Sequence, residues 1–366
     1  MSFIFSAKRS FSLLVGILLF STSFATEHKK EEKFNVGEMI MHHISDAHEW
    51  HLWGGHHNSV AIDLPIILVD GGLKVFSSKH FYKGEHAVAI DSKTNKEIDY
   101  VKGVGPAADY AMFHEEIYKL ENGELKFEKG HVHGAVMPFD MSITRNVVAL
   151  LFGAILIVIL MSTVARFYKK NGPVAPKGLA KYLEVLIVMV RDDIAKANIH
   201  HNKYQKYVPY LLTIFFFIFI NNLVGLVPIL GANLTGNITL TLFLAVCTLI
   251  VTLFSGNKNY WGHIFAMPGV PIPVLFILVP IEIVGIFTKP FALMVRLFAN
   301  MTAGHIIILA LVGIIFINQS AAWGALSVPM ALFISVLELL VAFLQAFLFT
   351  MLSALFIGAA VEEAHH

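Results

Sequence analysis

From about residue 136 onward the chain is a series of apolar runs separated by short polar breaks, and the run lengths predict its architecture. Five runs stand out: 146–166, 210–228, 238–254, 272–317 and 326–361. A helix rises 1.5 Å per residue and the hydrocarbon core of a bilayer is about 30 Å thick, so about twenty apolar residues cross it. The first three runs fit upright helices. As single helices the last two would reach about 70 Å and about 50 Å, so they must tilt strongly, bend, or continue beyond the core. Pro280 and Pro290 offer bends in the fourth. Splitting each long run into two spans is the alternative, but no polar turn interrupts 291–317. A different pattern fills 178–199, GLAKYLEVLIVMVRDDIAKANI. Its apolar and charged residues alternate at helical spacing, which predicts an amphipathic helix along the interface. The expected fold class is an all-α polytopic membrane protein: five membrane helices, the last two long and strongly tilted, an interfacial helix and an exported N-terminal extension.

Ahead of these runs the pattern is polar. Residues 1–25 hold Lys8 and Arg9, an apolar stretch FSLLVGILLF, and Ser23-Phe24-Ala25, the small-x-small pattern of a signal peptide cleaved after Ala25. The alternative, an uncleaved first membrane helix, has too few apolar residues to span. Residues 26–139 then form an exported extension, with candidate strands EHAVAID at 85–91 and GELKFEKG at 123–130, the latter after an Asn122-Gly123 turn. It is a small mixed domain or a partly ordered extension, and at about 115 residues without disulfides it is expected to lean on other parts for stability. Residues 140–366 form the membrane domain.

Composition sharpens this picture. Of 366 residues, 56% are apolar and 14% charged, against roughly 25% charged in a soluble domain. The net charge of +1 gives no basic excess for nucleic acid, and the single cysteine, Cys247, lies in an apolar run, so disulfides give no help in stabilising an exported portion. Twelve of the eighteen histidines fall in the extension, among them His42, His43, His48, His51, His56 and His57. Imidazoles bind zinc and copper, but nothing in the spacing fixes a tetrahedral set, so no metal is assigned. A pH-responsive surface would use the same residues.

Charge position gives the topology. Residues 166–206 carry nine Lys/Arg against three Asp/Glu, which places that loop on the cytoplasmic side. The extension then lies outside, as the signal peptide independently requires, and the C-terminal VEEAHH lies inside.

Ionisable groups within apolar helices are costly and mark functional candidates. The fourth run holds Glu282, Lys289, Arg296, Asn300 and His305, and the fifth holds Glu338 and Gln345. On a helical wheel Glu282 and Lys289 fall within about 40° of Arg296, and His305 lies on the opposite side, about 13 Å nearer the outside. The two runs have opposite directions, so Glu338 is expected at the depth of His305 and Gln345 near Arg296. This predicts an outward pocket of His305 and Glu338, a buried mid-membrane Arg296 with Asn300 and Gln345 beside it, and an inward site at Glu282. Arginine stays protonated, so it relays no proton but holds a facing carboxylate ionised and blocks a leak, whereas His and Glu titrate and relay. No mobile carboxylate is evident in this chain, so a partner is implied. Structural readings stand beside these: an ion-paired Arg296, snorkelling Glu282 and Lys289, a His305 bonded to a carbonyl, and Asn300 and Gln345 as polar glue. Asn221, Asn222, Thr235, Asn237 and Thr239 read chiefly as span-end residues, with Asn222 a candidate for the outer route.

Three stretches resemble F-type ATP synthase subunit a: RLFANMTAGH at 296–305, LLVAFLQAFLFTMLS at 339–353, and TIFFFIFINNLVGLVPI at 213–229. The resemblance covers about 136–361. It implies that Arg296 faces the carboxylates of a rotor ring, with Asn300 and Gln345 as its polar neighbours. It also implies that Glu282 belongs to the cytoplasmic half-channel, Asn222 to the outer one, and His305 with Glu338 to the outer relay, in the acid-and-imidazole order of the mitochondrial form. Gly225 stands where many bacterial members carry aspartate, and Ala299 and Thr302 replace the usual glycine and tyrosine. The implied partners are the rotor ring, peripheral stalk subunit b and the remaining ATP synthase subunits in a bacterial inner membrane. The implied cargo is the proton, with sodium settled by the ring's own sequence. No cofactor or metal is implied, and no Gly-rich phosphate loop occurs, so ATP synthesis is catalysed elsewhere in the assembly. Rivals are a self-contained secondary transporter, for which internal repeats are not evident, and a structural or assembly subunit.

Overall fold

The computed structural model describes residues 37, 45–53, 60–120, 123–199, 203–227, 234–267, 270–318 and 320–362. The expected signal peptide, 1–25, lies outside the described residues, as do Asn122 and the histidines at 42, 43, 56 and 57.

The extension is a β-rich domain. Among the described residues its strands are β1 (Glu49–Trp53), β2 (Val60–Asp63), β3 (Pro65–Val69), β4 (Leu73–Ser77), β5 (Glu85–Ile90), β6 (Glu97–Lys102), β7 (Tyr110–Phe113), β8 (Glu116–Lys119), β9 (Lys126–Glu128), β10 (His131–His133) and β11 (Phe139–Asp140), with a short helix, α1 (Lys79–Tyr82), and a 3-10 turn, Gly105–Ala107. All pairing is antiparallel, in sheets ordered β11-β3-β4, β5-β6-β7-β8, β1-β2 and β9-β10. Alternate residues of β3 and β4 point inward, so Ile66, Leu68 and Phe76 pack with Phe81, Tyr110 and Ile117 in one core. Tyr100, Ala111, Leu125 and Phe127 form a second. Asp91 locks the turn after β5: its carboxylate accepts the N–H groups of Lys93, Thr94 and Gly130. Burial opposes its charged form, but these bonds hold the carboxyl well below its usual range.

The domain is also tied to the first membrane helix, α2 (Arg145–Asn171). Asp46 accepts from the Thr144 hydroxyl and the Asn146 N–H, the Arg145 guanidinium donates to the Ser45 carbonyl at 2.7 Å, and its N–H bonds the Ala47 carbonyl.

Among the described residues five helices are long and apolar enough to span: α2, α4 (Tyr204–Gly225), α5 (Ile238–Ser255), α7 (Ile272–Asn318) and α8 (Ala321–Val361). A helix satisfies its backbone groups within its own segment in hydrocarbon, and the apolar runs supply the side chains lipid requires. Glycine ends α2 at Gly172, where φ is +69°. The Asn237 side chain caps α5 by accepting the Thr239 N–H. At 47 and 41 residues, α7 and α8 are each one continuous helix. Their lengths of about 70 Å and about 60 Å far exceed an upright crossing.

The amphipathic segment forms α3 (Leu179–Val188), continued by a π-helical turn, Met189–Ala195, and a last turn, Lys196–Asn198. A short helix, α6 (Lys258–Phe265), links α5 to α7. The membrane core centres on α4: Leu211, Phe215 and Ile218 pack against Ala346, Phe349 and Ile357 of α8, with Val190 and Ile194 of the π turn beneath them. Phe343 meets Phe215 and Phe219 edge-on. Gly358 lets α8 approach the backbone at Asn198, since a Cβ there would lie 2.0 Å from the Asn198 carbonyl oxygen.

Candidate functional site

α8 packs back along α7 and brings two titratable side chains together. His305 Nδ1 lies 3.6 Å from Glu338 Oε1, with both side chains largely buried. The depth matching expected of two antiparallel helices is therefore realised. The separation exceeds a direct hydrogen bond, so direct contact between the two would need a small side-chain rotation or one bridging water.

Gly304 makes room for this pair. A Cβ at 304 would lie 2.0 Å from Glu338 Oε1 and 2.9 Å from Cδ, so no larger residue fits beside the carboxylate as placed. The role of Gly304 was not anticipated from sequence; the small residue immediately before His305 was the available signal.

One turn along α8, the Ala342 carbonyl accepts from Asn222 Nδ2 at 3.4 Å, and Asn222 Oδ1 accepts from the Thr235 hydroxyl at 2.6 Å. Thr302, one turn before His305, donates to the Gly236 carbonyl at 3.5 Å. Asn222 thus belongs to a buried polar cluster near Glu338, as one reading of the sequence allowed. Thr235, read as a span-end residue, is buried and bonded to it. Neighbouring Asn221 is held by its Nδ2 bond to the Phe217 carbonyl, and Gly153 of α2 gives it space, since a Cβ there would lie 2.3 Å from Asn221 Oδ1.

Arg296 is read from its spacing as a buried mid-membrane cation and from the resemblance as facing a rotor ring. In this chain both it and Asn300 are exposed on the surface, and no described residue gives the guanidinium a hydrogen bond or ion pair. The cause is helical geometry: Leu293, Leu297 and Met301 form the buried stripe of α7, and Arg296 and Asn300 fall outside it. Gln345, by contrast, is buried, and among the described residues no hydrogen bond joins it to Arg296. Ala292, Ala299 and Ala303 share the exposed side of α7.

Glu282 is half-buried nearer the start of α7. It lies close to α6, where the Tyr260 hydroxyl is pushed up first by burial and then by the Glu282 charge. Lys289 is exposed, with its ammonium 5.9 Å from the centre of the Phe356 ring.

In the extension, His48 sits between two carboxylates, with Nε2 3.2 Å from Asp140 and Nδ1 3.8 Å from Glu115. Glu115 also accepts from the Tyr82 hydroxyl at 2.8 Å. Burial opposes the imidazolium, but the two acids outweigh it and raise the His48 pKa to about 9. The same contacts hold Glu115 and Asp140 low against their own burial. Among the described residues no group of three or more His, Cys, Asp or Glu is arranged to hold a metal ion.

Comparison with known proteins bears on both parts. Residues 147–358 match the family model for the ATP synthase A chain, and residues 39–141 match a domain of unknown function (DUF8433). The chain is 52% identical over 256 residues to an ATP synthase subunit a 2 of Chlorobaculum tepidum, covering 67% of this chain and 72% of the relative. It is 50% identical over 232 residues to an ATP synthase subunit a of Chloroherpeton thalassium, covering 62% and 69%. A subunit a 2 of Prosthecochloris aestuarii is 44% identical over 317 residues, 84% of this chain and 93% of the relative. With a family match across more than half its length and five spanning helices that bring His305 to Glu338, the chain belongs to the ATP synthase subunit a family.

Proposed function

We propose that protons pass through this chain along two offset half-channels that do not join, meeting a ring of carboxylate-bearing rotor subunits at Arg296. Membership of the family makes the chain a proton-translocating, non-catalytic membrane subunit of ATP synthase. In the proposed path, protons reach the His305–Glu338 pair from the outer side past Asn222 and Thr235. They protonate a ring carboxylate, travel with the ring, and leave past Glu282. Asn300 and Gln345 serve the region around the arginine, Asn300 from the exposed face and Gln345 from within α8.

The observation that carries this reading is the exposed, unpaired Arg296 on a membrane helix. A permanent cation facing hydrocarbon is costly, and the missing counter-charge is best supplied by a partner's carboxylate. The alanines beside it support close approach of another helix. Burial of Glu338 beside His305 supports the outer relay, and the position of Glu282 by α6 supports an exit at the other end.

In this arrangement residues 1–25 are a signal peptide, 26–139 a periplasmic domain and 140–366 the channel domain in the inner membrane, with the C-terminus cytoplasmic. Peripheral stalk subunit b binds the stationary side. A photo-crosslinker at Ala299 in the assembled complex tests the ring contact. An adduct with a small subunit bearing a membrane carboxylate is expected, and adducts with lipid alone would overturn the proposal.

A further inference from the structure

The β11-β3-β4 sheet has an inverted outer face. Its inner face is buried through Ile66, Leu68 and Phe76. Register brings five apolar residues together on the other side. Val69 pairs with both Leu73 and Phe139, Ile67 pairs with Val75, and the Met141 N–H bonds the Ile67 carbonyl. Val69, Leu73, Val75, Phe139 and Met141 are 42% to 69% exposed. The open face of an antiparallel sheet is normally polar, and soluble surfaces rarely leave such a cluster uncovered.

Position in the chain indicates the occupant. Met141 stands four residues before α2 begins, so even a fully extended connection spans only about 14 Å. The connection is not free to swing: Thr144, Arg145 and Asn146 are bonded to the 45–47 segment, and His48 is bonded to Asp140 at the end of β11. The exposed apolar surface of α2 itself starts at Val147. The sheet is thus held where α2 leaves the hydrocarbon, its apolar residues within reach of the interfacial layer.

We propose that this face is a membrane-docking surface: the sheet lies on the bilayer at the N-terminal end of α2, with Val69, Leu73, Val75, Phe139 and Met141 inserted at the boundary between headgroups and acyl chains. Such insertion resembles that of interfacial elements, whose binding scales with buried apolar area. The extension is then fixed against the membrane by three attachments: its chain connection, the Asp46 and Arg145 bonds, and lipid.

The test uses the full chain carrying Cys247→Ser, reconstituted in phosphatidylcholine vesicles, with an environment-sensitive fluorophore on Leu73→Cys or Val75→Cys. Glu97→Cys, exposed on the other large sheet, is the control. Lipids brominated near the headgroup end of the acyl chain are expected to quench the labels at 73 and 75 and to leave the label at 97 bright. Aqueous iodide is expected to do the reverse. Equal access of iodide to all three labels would overturn the proposal. Shielding from iodide without quenching by lipid would also overturn it, by placing a protein segment, a second copy or another subunit on this face.

Discussion

Adding one methyl group at Gly304 probes the proton relay without replacing a titratable side chain. A Cβ there would fall 2.0 Å from Glu338 Oε1, whereas 3.0 Å is the closest such atoms approach, so the carboxylate must retreat by about 1 Å. Overpacking of this kind costs about 1–3 kcal/mol, which a helix embedded in a bilayer and packed along α8 absorbs without loss of the fold. The functional cost is larger. Glu338 already lies 3.6 Å from His305, and a misplacement of about 1 Å in a reacting group lowers rates by about 100-fold. Gly304→Ala is therefore expected to reduce ATP-driven proton pumping by about 10- to 100-fold per assembled complex. The assay is quenching of an acid-sensitive dye in inverted membrane vesicles, normalised to complex content on native gels. Gly285→Ala is the matched control, because a Cβ at 285 meets nothing within 4 Å on the same helix, and it should pump normally. Equal pumping by the two variants would refute a role for the Glu338 position in transfer.

Further outcomes follow from the same contacts. Exchanging the relay partners, His305→Glu with Glu338→His, keeps one acid and one imidazole and should pump faster than either single substitution in the same vesicle assay; a double variant no better than the singles would count against relay. Asn222→Ala removes the acceptor of Thr235 and the donor to the Ala342 carbonyl, so a loss of about 1 kcal/mol and a lowered midpoint are expected in thermal unfolding in detergent. His48 is raised to about 9 from an ordinary 6.5. Its stabilisation is therefore complete below about pH 6.5 and is lost as pH rises through about 9, on the order of 3 kcal/mol in all. Limited proteolysis of the extension in the full chain should accelerate across that window, and His48→Gln should flatten the dependence.

The spanning helices were legible because lipid imposes one local rule: every backbone group is bonded within its own segment, so long apolar runs become helices. The 272–317 run and the helix Ile272–Asn318 differ by one residue. The meeting of His305 with Glu338 was also legible, since residue counting along two antiparallel helices fixes relative depth. The outward aim of Arg296 was implied by the family resemblance but was not legible in the helical periodicity. A helix apolar on all sides gives no internal signal of which face meets lipid, which meets its own bundle and which meets a partner, and only Leu293, Leu297 and Met301 packed in place settle it. Gly304 escaped notice because the space it leaves belongs to a residue 34 positions away. The extension's sheets depend on distant pairings, such as Phe139 with Val69. Periodicity picks out the strand at 85–90 but not the partner of β3 nor the apolar character of its outer face.

The central claim concerns the charge of Arg296, and Arg296→Ala tests it most directly. Complex content and ATP-driven proton pumping are measured in the same membranes. The account predicts a normally assembled complex in which pumping is abolished. Assembly with pumping intact would contradict it, as would disappearance of the complex itself, which would make the arginine a structural residue.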